Sequence, residues 1–207
     1  MTPKDIIIGK TPPFEWVAAL LAAGSDAKIY YLGAPRRIPR NLIFKTISTP
    51  STFDPDSVCN LDVLPASWRY LDLLAMRNAC GIESGSKKLI LLVGGDARGY
   101  SYDDLFWGDL VVFVRSSLAS GFSWEISTSP RSGKPVETLF YELELEFGVE
   151  RIRFHPWSDP ARRVSILDLM CSADAVFVTE ESASMLSEAC NARLPVVALR
   201  PKNPQYN

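Results

Sequence analysis

The segment Leu89-Ile90-Leu91-Leu92-Val93-Gly94-Gly95 sets the fold class of this chain. Its five consecutive apolar residues predict a strand that is buried on both faces, and the paired glycines end that strand. Strands of this kind are typical of parallel sheets, in which helices cover both faces. The pattern on either side of the segment therefore indicates how many strands and helices accompany it.

Short apolar runs alternate with helical patterns after this first strand. Further strands are predicted at residues 123–128, 151–155, 175–178 and 195–199, and helices at residues 103–120, 135–147, 160–172 and 182–192. The apolar face of the first of these helices is expected to consist of Leu105, Leu110, Phe113 and Val114. Parallel strands joined by helices need right-handed crossovers, so the pattern predicts an α/β, Rossmann-like fold with helices on both faces of its sheets.

The first 85 residues are less regular. Strands are predicted at residues 5–8, 27–32 and 42–47, helices at 14–23 and 68–80, and a loop at 48–57. One strand–helix–strand unit cannot close a domain alone. We therefore expect a short or incomplete N-terminal Rossmann-like domain over residues 1–85 and a C-terminal Rossmann-like domain over residues 86–207.

Composition excludes several classes of protein. The chain has 207 residues, of which 47% are hydrophobic and 22% charged, as in ordinary soluble domains. Its formal charge of −2 argues against a nucleic-acid partner, which would need a basic excess. Neither a transmembrane segment nor a signal peptide is predicted, so we expect a cytoplasmic protein, free or peripheral to a membrane. The single histidine and four scattered cysteines, expected to be reduced core thiols, predict no metal site.

The loops after the strands are the places where a ligand is expected. In open parallel sheets, ligands bind outside the carboxyl ends of the strands, where the winding of the sheet reverses. After the first strand of the second half, Gly94 and Gly95 let a ligand approach the backbone, and Arg98 carries a charge suited to phosphate. The same residues fit a simple turn. The dinucleotide fingerprint G-x-G-x-x-G is missing.

The loop at residues 127–133 contains four hydroxyl side chains, an arginine and a glycine. Ser129 and Arg131 are its candidates for contact with an anion. A solvated turn that caps the following helix explains the same composition.

The loop after the fourth strand leads into a helix that begins near Ser182. A helix N-terminus suits a diphosphate, Ser182 and Ser184 add hydroxyl donors, and Glu188 can accept hydrogen bonds from a ribose diol. Glu180 and Glu188 have the E-x7-E spacing seen in several nucleotide-sugar transferases. The alternative is that Ser182 caps the helix and the glutamates complement its dipole.

Three other features carry weaker predictions. His155 ends the third strand and is the catalytic candidate, although the following Pro156-Trp157 also favours a packing role. Asp54-Pro55-Asp56 fits a turn better than a metal motif. The arginines within residues 36–40 form a basic patch that suits an acidic lipid, a phosphate or only solvent.

Together these strings resemble the mitochondrial fission protein family named for elongated mitochondria. The resemblance is carried by residues 91–95, by Thr128-Ser129 with Arg131, by Asp159-Pro160 and above all by residues 172–189. It implies a fold similar to B-type glycosyltransferases, with two Rossmann-like domains of which the second holds the nucleotide sugar. The ligand contacts that it implies are Gly94, Gly95, Ser129, Arg131, Glu181, Ser182, Ser184 and Glu188. The chain departs from the family pattern at Glu181, where Asp is usual.

Two functions are open at this point. The first is a metal-independent, glycosyltransferase-like protein that binds a nucleotide-diphosphate sugar through its C-terminal domain and needs no cofactor. The second is a non-catalytic interaction or membrane-fission-related module that retains the transferase fold. A nucleotide sugar, and a membrane-associated acceptor or protein partner, are the expected partners.

Overall fold

The computed structural model of the protein describes residues 6–9, 17, 20–21, 23, 27–32, 39–48, 59–60, 68–80, 87–97 and 99–202. The chain divides into two compact units, Met1–Leu64 and Pro65–Asn207. The sequence pattern places helix α1 (Tyr70–Cys80) with the first 85 residues. In the structure it belongs to the second unit, because its Leu73 is buried among that unit's apolar side chains. In the described residues, no helix is both long and apolar enough to cross a bilayer.

The first unit contains a parallel sheet of four strands in the order β1-β2-β3-β4. These strands are β1 (Ile6–Gly9), β2 (Lys28–Leu32), β3 (Lys45–Ser48) and β4 (Cys59–Asn60). Strand β3 begins later than predicted because a 3₁₀ turn, Arg40–Leu42, precedes it. Strand β4 was not predicted, since two residues leave no periodic signal.

Several sequence predictions in the first unit lie outside the described residues. Of the helix predicted at 14–23, residues 17, 20, 21 and 23 are described and helical. The aspartates at 54 and 56 and the arginines at 36 and 37 are not described, and Arg40 is exposed in the 3₁₀ turn.

The second unit contains the predicted parallel sheet of five strands. They are β5 (Lys88–Val93), β6 (Ser123–Thr128), β7 (Ile152–His155), β8 (Ala175–Thr179) and β9 (Val196–Leu199). Their spatial order is β7-β6-β5-β8-β9, with every neighbouring pair parallel. The structure confirms the α/β, Rossmann-like fold class. The winding reverses between β5 and β8, so this is the switch point at which such sheets bind ligands.

Helices cover both faces of this sheet, as the apolar run in β5 predicted. They are α2 (Asp104–Ala119), α3 (Gly133–Phe147), α4 (Ile166–Cys171) and α5 (Ala183–Asn191). On β5, Leu89 and Leu91 belong to the core under α2 and α3, whereas Ile90 and Leu92 belong to the core under α1, α4 and α5. Successive residues of a strand face opposite sides, which is why all of them are apolar.

Two helix predictions were wrong in part. In α2, Leu105 and Phe113 are 68% and 40% exposed, because the buried face follows Trp107, Leu110, Val114 and Leu118. The helix predicted at 160–172 is split into a 3₁₀ turn, Pro160–Arg162, and α4. The split occurs because the hydroxyl of Ser165 caps α4, accepting a hydrogen bond from the Asp168 N–H at 3.1 Å.

The cysteine prediction holds at one of the two described thiols. Cys171 is buried, whereas Cys190 is exposed near the end of α5. The reason is that the buried face of α5 passes through Ser187 and Ala189 instead.

Candidate functional site

The loops that follow β5 and β8 meet at the switch point of the five-stranded sheet. Gly94 and Gly95 follow β5, and Thr179 ends β8 with Glu181 two residues later. The Gly94 N–H donates to Thr179 Oγ1 at 2.7 Å, and the Gly95 N–H donates to Glu181 Oε1 at 3.0 Å. The two loops are therefore joined by hydrogen bonds at the place where a ligand was expected.

The carboxylate of Glu181 is the centre of this junction. Its side chain is fully buried, with 0% exposure. Besides Gly95, Oε1 accepts from Arg131 Nη2 at 3.1 Å and from the Thr179 hydroxyl at 3.3 Å, while Oε2 accepts from the Tyr102 hydroxyl at 2.7 Å. Burial, together with the hydrogen bond to Glu181, raises the pKa of Tyr102 well above its usual range, so this hydroxyl remains a donor. With both oxygens engaged by the protein, Glu181 in this arrangement is not free to bind a ribose.

Close approach explains both glycines of the junction. A Cβ at Gly94 would lie 1.5 Å from Glu181 Oε1, and a Cβ at Gly95 would lie 2.1 Å from the Arg131 carbonyl oxygen. Contacts this short exclude any side chain. The glycine pair is thus required by the protein's own packing around Glu181 and Arg131.

The loop between β6 and α3 is fixed by its serines. The Ser132 hydroxyl lies 2.9 Å from the Val93 carbonyl oxygen, and the Ser129 N–H donates to Ser132 Oγ at 2.9 Å. Ser129 is buried, and its Oγ accepts from the Arg131 N–H at 3.2 Å. Arg131 itself is 46% exposed. The loop therefore presents the Arg131 side chain on a rigid backbone.

The N-terminus of α5 places the other predicted contacts. Ser182 is the N-cap residue but makes no capping hydrogen bond through its side chain, Ser184 is exposed, and Glu188 is half-buried. Glu180 forms a two-pronged ion pair with Arg200, with N–O distances of 2.6 and 2.5 Å. Arg98 lies outside the described residues.

His155 is held at both ring nitrogens. Nδ1 lies 3.0 Å from the Arg162 carbonyl oxygen, and Nε2 lies 3.1 Å from Glu125 Oε2. In this arrangement the protein occupies both ring nitrogens. The geometry therefore does not favour His155 as a general base.

Glu125 carries the charge that holds His155 in place. Its other oxygen accepts from Lys88 Nζ at 2.8 Å. Burial opposes ionisation of Glu125, but the hydrogen bonds from His155 and Lys88 outweigh it and lower the pKa of this carboxyl from 4.5 to about 2.

A cavity of about 170 Å³ lies beside α5, over the carboxyl ends of β5, β6 and β7. Its lining includes Leu92, Ser129, His155, Trp157, Arg163 and Met185. The guanidinium of Arg163 stacks over the Trp157 ring at 3.9 Å from the ring centroid and donates from Nε to the Trp157 carbonyl oxygen at 2.8 Å. The described lining residues include hydroxyls and a cation but no carboxylate.

A second cavity, of about 240 Å³, lies beside the starts of α2 and α3. Arg131 and Ser132 line it, whereas the preceding Ser129 and Pro130 line the first cavity. Asp96 and Asp104 also line the second cavity, so the two cavities differ in charge.

Sequence reasoning missed several residues of this site. Trp157, Arg163 and Met185 line the first cavity, and Tyr102 completes the Glu181 junction. The rule that selects loops after strands points to residues 156–163, but it does not say that Trp157 faces a cavity. No local signal links Tyr102 to a residue 79 positions later. Within the described part of the chain, no group of three or more His, Cys, Asp or Glu is placed to hold a metal ion.

A comparison with protein families finds a match over a range that contains this whole site. The family model described as Mitochondrial fission ELM1 matches residues 74–206, which is more than half of the chain. The chain belongs to this family. The residues that line both cavities and those of the Glu181 junction all lie inside the range that the ELM1 family model matches. The comparison with curated proteins finds no match for this ELM1-family chain.

Proposed function

We propose that this protein is glycosyltransferase-like and binds a nucleotide-diphosphate sugar in the second unit, in the 170 Å³ cavity and at the adjoining N-terminus of α5. The observation that carries the proposal is the cavity itself. It lies at the carboxyl edge of a doubly wound sheet, it combines an aromatic wall with hydroxyls and a cation, and none of its described lining residues is acidic.

The diphosphate is assigned to the start of α5. The Leu186 N–H donates to the Ser182 carbonyl oxygen, which is the first hydrogen bond of the helix. The N–H groups of residues 183–185 are therefore the ones that can donate to an anion. The Ser184 hydroxyl is exposed beside them. Glu188 is one turn further along the helix on the same face as Ser184, where it suits the ribose diol.

The base is assigned to the apolar part of the cavity. Trp157 supplies a ring, and Leu92 and Met185 supply apolar surface. Trp157 is held in place because its backbone N–H donates to Thr128 Oγ1 at 2.8 Å. The Thr128 hydroxyl in turn lies 2.8 Å from Glu137 Oε1. A planar heterocycle fits this wall.

A non-catalytic module that retains the fold is the second candidate. It is favoured by the contacts of His155, since both of its ring nitrogens are occupied by groups of the protein itself. Such a module acts by binding a protein or membrane-associated partner. Binding of a nucleotide sugar without hydrolysis or transfer, measured by product analysis over hours, identifies this case.

The test is thermal unfolding with uridine diphosphate. A ligand at about 100 times its dissociation constant stabilises the native state by about 2.7 kcal/mol. We expect uridine diphosphate to raise Tm, and Met185→Trp to abolish the shift because the indole fills the cavity. Cys190→Trp, on the exposed end of the same helix, is the matched control and keeps the shift. No shift at millimolar ligand, or an undiminished shift in Met185→Trp, contradicts the proposal.

A further inference from the structure

The Glu181 junction contains donors that would otherwise suit an external anion. The Gly95 N–H, the Tyr102 hydroxyl and the Arg131 guanidinium come from three separate parts of the chain and converge on one carboxylate. A carboxylate and a phosphate oxygen accept from the same donors. The protein therefore already holds an anion of its own at the switch point.

The members of this junction are held with unequal strength. Arg131 is 46% exposed and contacts Glu181 through Nη2 alone, at 3.1 Å, which leaves most of its five N–H donors without a bond to this carboxylate. Glu181 keeps three other donors, from Gly95, Tyr102 and Thr179, if Arg131 moves away. Because the Arg131 end of this ion pair is exposed to solvent and the Glu181 carboxylate keeps its other donors, opening the pair costs less than breaking a pair that is buried on both sides. Arg131 is thus the residue of the junction that can leave Glu181 and bind another anion.

We propose that Glu181 is an internal competitor for the phosphate groups of the ligand, and that Arg131 is an exchangeable arm that leaves Glu181 when a diphosphate binds. This inference rests on the proposed function and adds its regulation. Glu181 cancels the charge of Arg131 directly before the N-terminus of α5, where the diphosphate is assigned. In the resting arrangement this carboxylate therefore opposes the approach of an anion, and affinity depends on the release of Arg131.

The substitution Glu181→Gln removes the charge and preserves the shape. The amide oxygen can accept from the Gly95 N–H, and the amide nitrogen can donate to the Tyr102 oxygen. The Tyr102 hydroxyl already lies 3.5 Å from a second acceptor, the Leu199 carbonyl oxygen. Glu180→Gln is the matched control. It removes the same charge from the neighbouring residue, whose carboxylate pairs with Arg200 and not with Arg131.

The experiment is calorimetric titration of the full chain and its variants with inorganic pyrophosphate and, separately, with uridine diphosphate. We expect Glu181→Gln to bind pyrophosphate about tenfold or more tightly than the wild type, because a unit charge near the anion is removed. Glu180→Gln should leave the affinity within about twofold. Arg131→Gln changes a side chain that is 46% exposed and leaves Glu181 its donors from Gly95 and Tyr102. It should abolish pyrophosphate binding alone and in combination with Glu181→Gln.

Three results overturn the inference. They are equal or weaker pyrophosphate binding by Glu181→Gln, the same gain in Glu180→Gln, and undiminished binding by Arg131→Gln. Failure of the proposed function has a different signature. In that case, uridine diphosphate binds no more tightly than pyrophosphate in the wild type and in every variant, whatever Glu181→Gln does to pyrophosphate.

Discussion

The substitution Gly94→Ala tests whether Glu181 is packed against the backbone as described. The new Cβ would lie 1.5 Å from Glu181 Oε1, 2.6 Å from Glu181 Cδ and 2.9 Å from Thr179 Oγ1. These contacts cannot be relieved unless the carboxylate leaves its position. Glu181 would then lose its bonds to Gly95 and Tyr102 while its charge remained in the interior.

The expected cost follows from that displacement. Breaking the contacts of a buried charge typically costs about 3–5 kcal/mol. At about 2–4 °C per kcal/mol for a unit of this size, Tm should fall by about 10 °C. Gly108→Ala is the control, because a Cβ there meets nothing within 4 Å and alanine favours the interior of α2 by about 1 kcal/mol. That variant should be as stable as the wild type or more so.

Urea unfolding of single and double variants separates this explanation from a general loss of backbone freedom. Combined with Glu181→Ala, Gly94→Ala should cost at least about 1 kcal/mol less than it does alone, since the two shortest contacts have been removed. The reasoning is refuted if Gly94→Ala costs less than about 0.5 kcal/mol, or if the costs of the two substitutions simply add.

Two further predictions concern the charges around His155 and α3. Because the pKa of Glu125 is lowered from 4.5 to about 2 in the folded state, its contribution to stability is complete above pH 4.5 and is lost as the pH falls toward 2. Urea midpoints should therefore fall less steeply over that range in Glu125→Gln than in the wild type, and identical slopes would contradict the contacts of Glu125 with His155 and Lys88. Arg162→Ala removes the guanidinium that lies 2.6 Å from the buried Glu144 carboxylate, and the loss of this hydrogen bond between charged groups should lower the free energy of unfolding by about 2 kcal/mol. Arg162→Lys should recover part of this loss in the same denaturation experiment, and a cost for Arg162→Ala within error of zero would contradict it.

The five-stranded sheet could be predicted because each of its strands has a signal in the local sequence. Residues 89–93 are all apolar because both faces of β5 are covered, and turn residues such as Gly121 and Gly148 mark the ends of α2 and α3. The split before α4 could not be predicted in this way. It depends on the Ser165 cap and on Arg163 turning back toward Trp157, neither of which alters the helical periodicity.

The candidate site was predictable as a set of loops but not as a set of contacts. The rule for parallel sheets selected the loops of Gly94, Ser129 and Glu181 correctly as neighbours of the switch point. It did not indicate that Glu181 is buried, because burial depends on Tyr102, which is remote in sequence. Likewise, the only histidine of the chain stands at a strand end, yet its role depends on Glu125 from the neighbouring strand.

Chemical-shift mapping of the full ¹⁵N-labelled chain during titration with uridine diphosphate locates the ligand residue by residue. The proposed site predicts saturable shifts at the Ser184 and Met185 amides, at the Trp157 indole and at Ser129, with little change at Cys190. Saturable shifts confined to other residues, or none at millimolar ligand, would contradict a nucleotide site at the carboxyl edge of the five-stranded sheet.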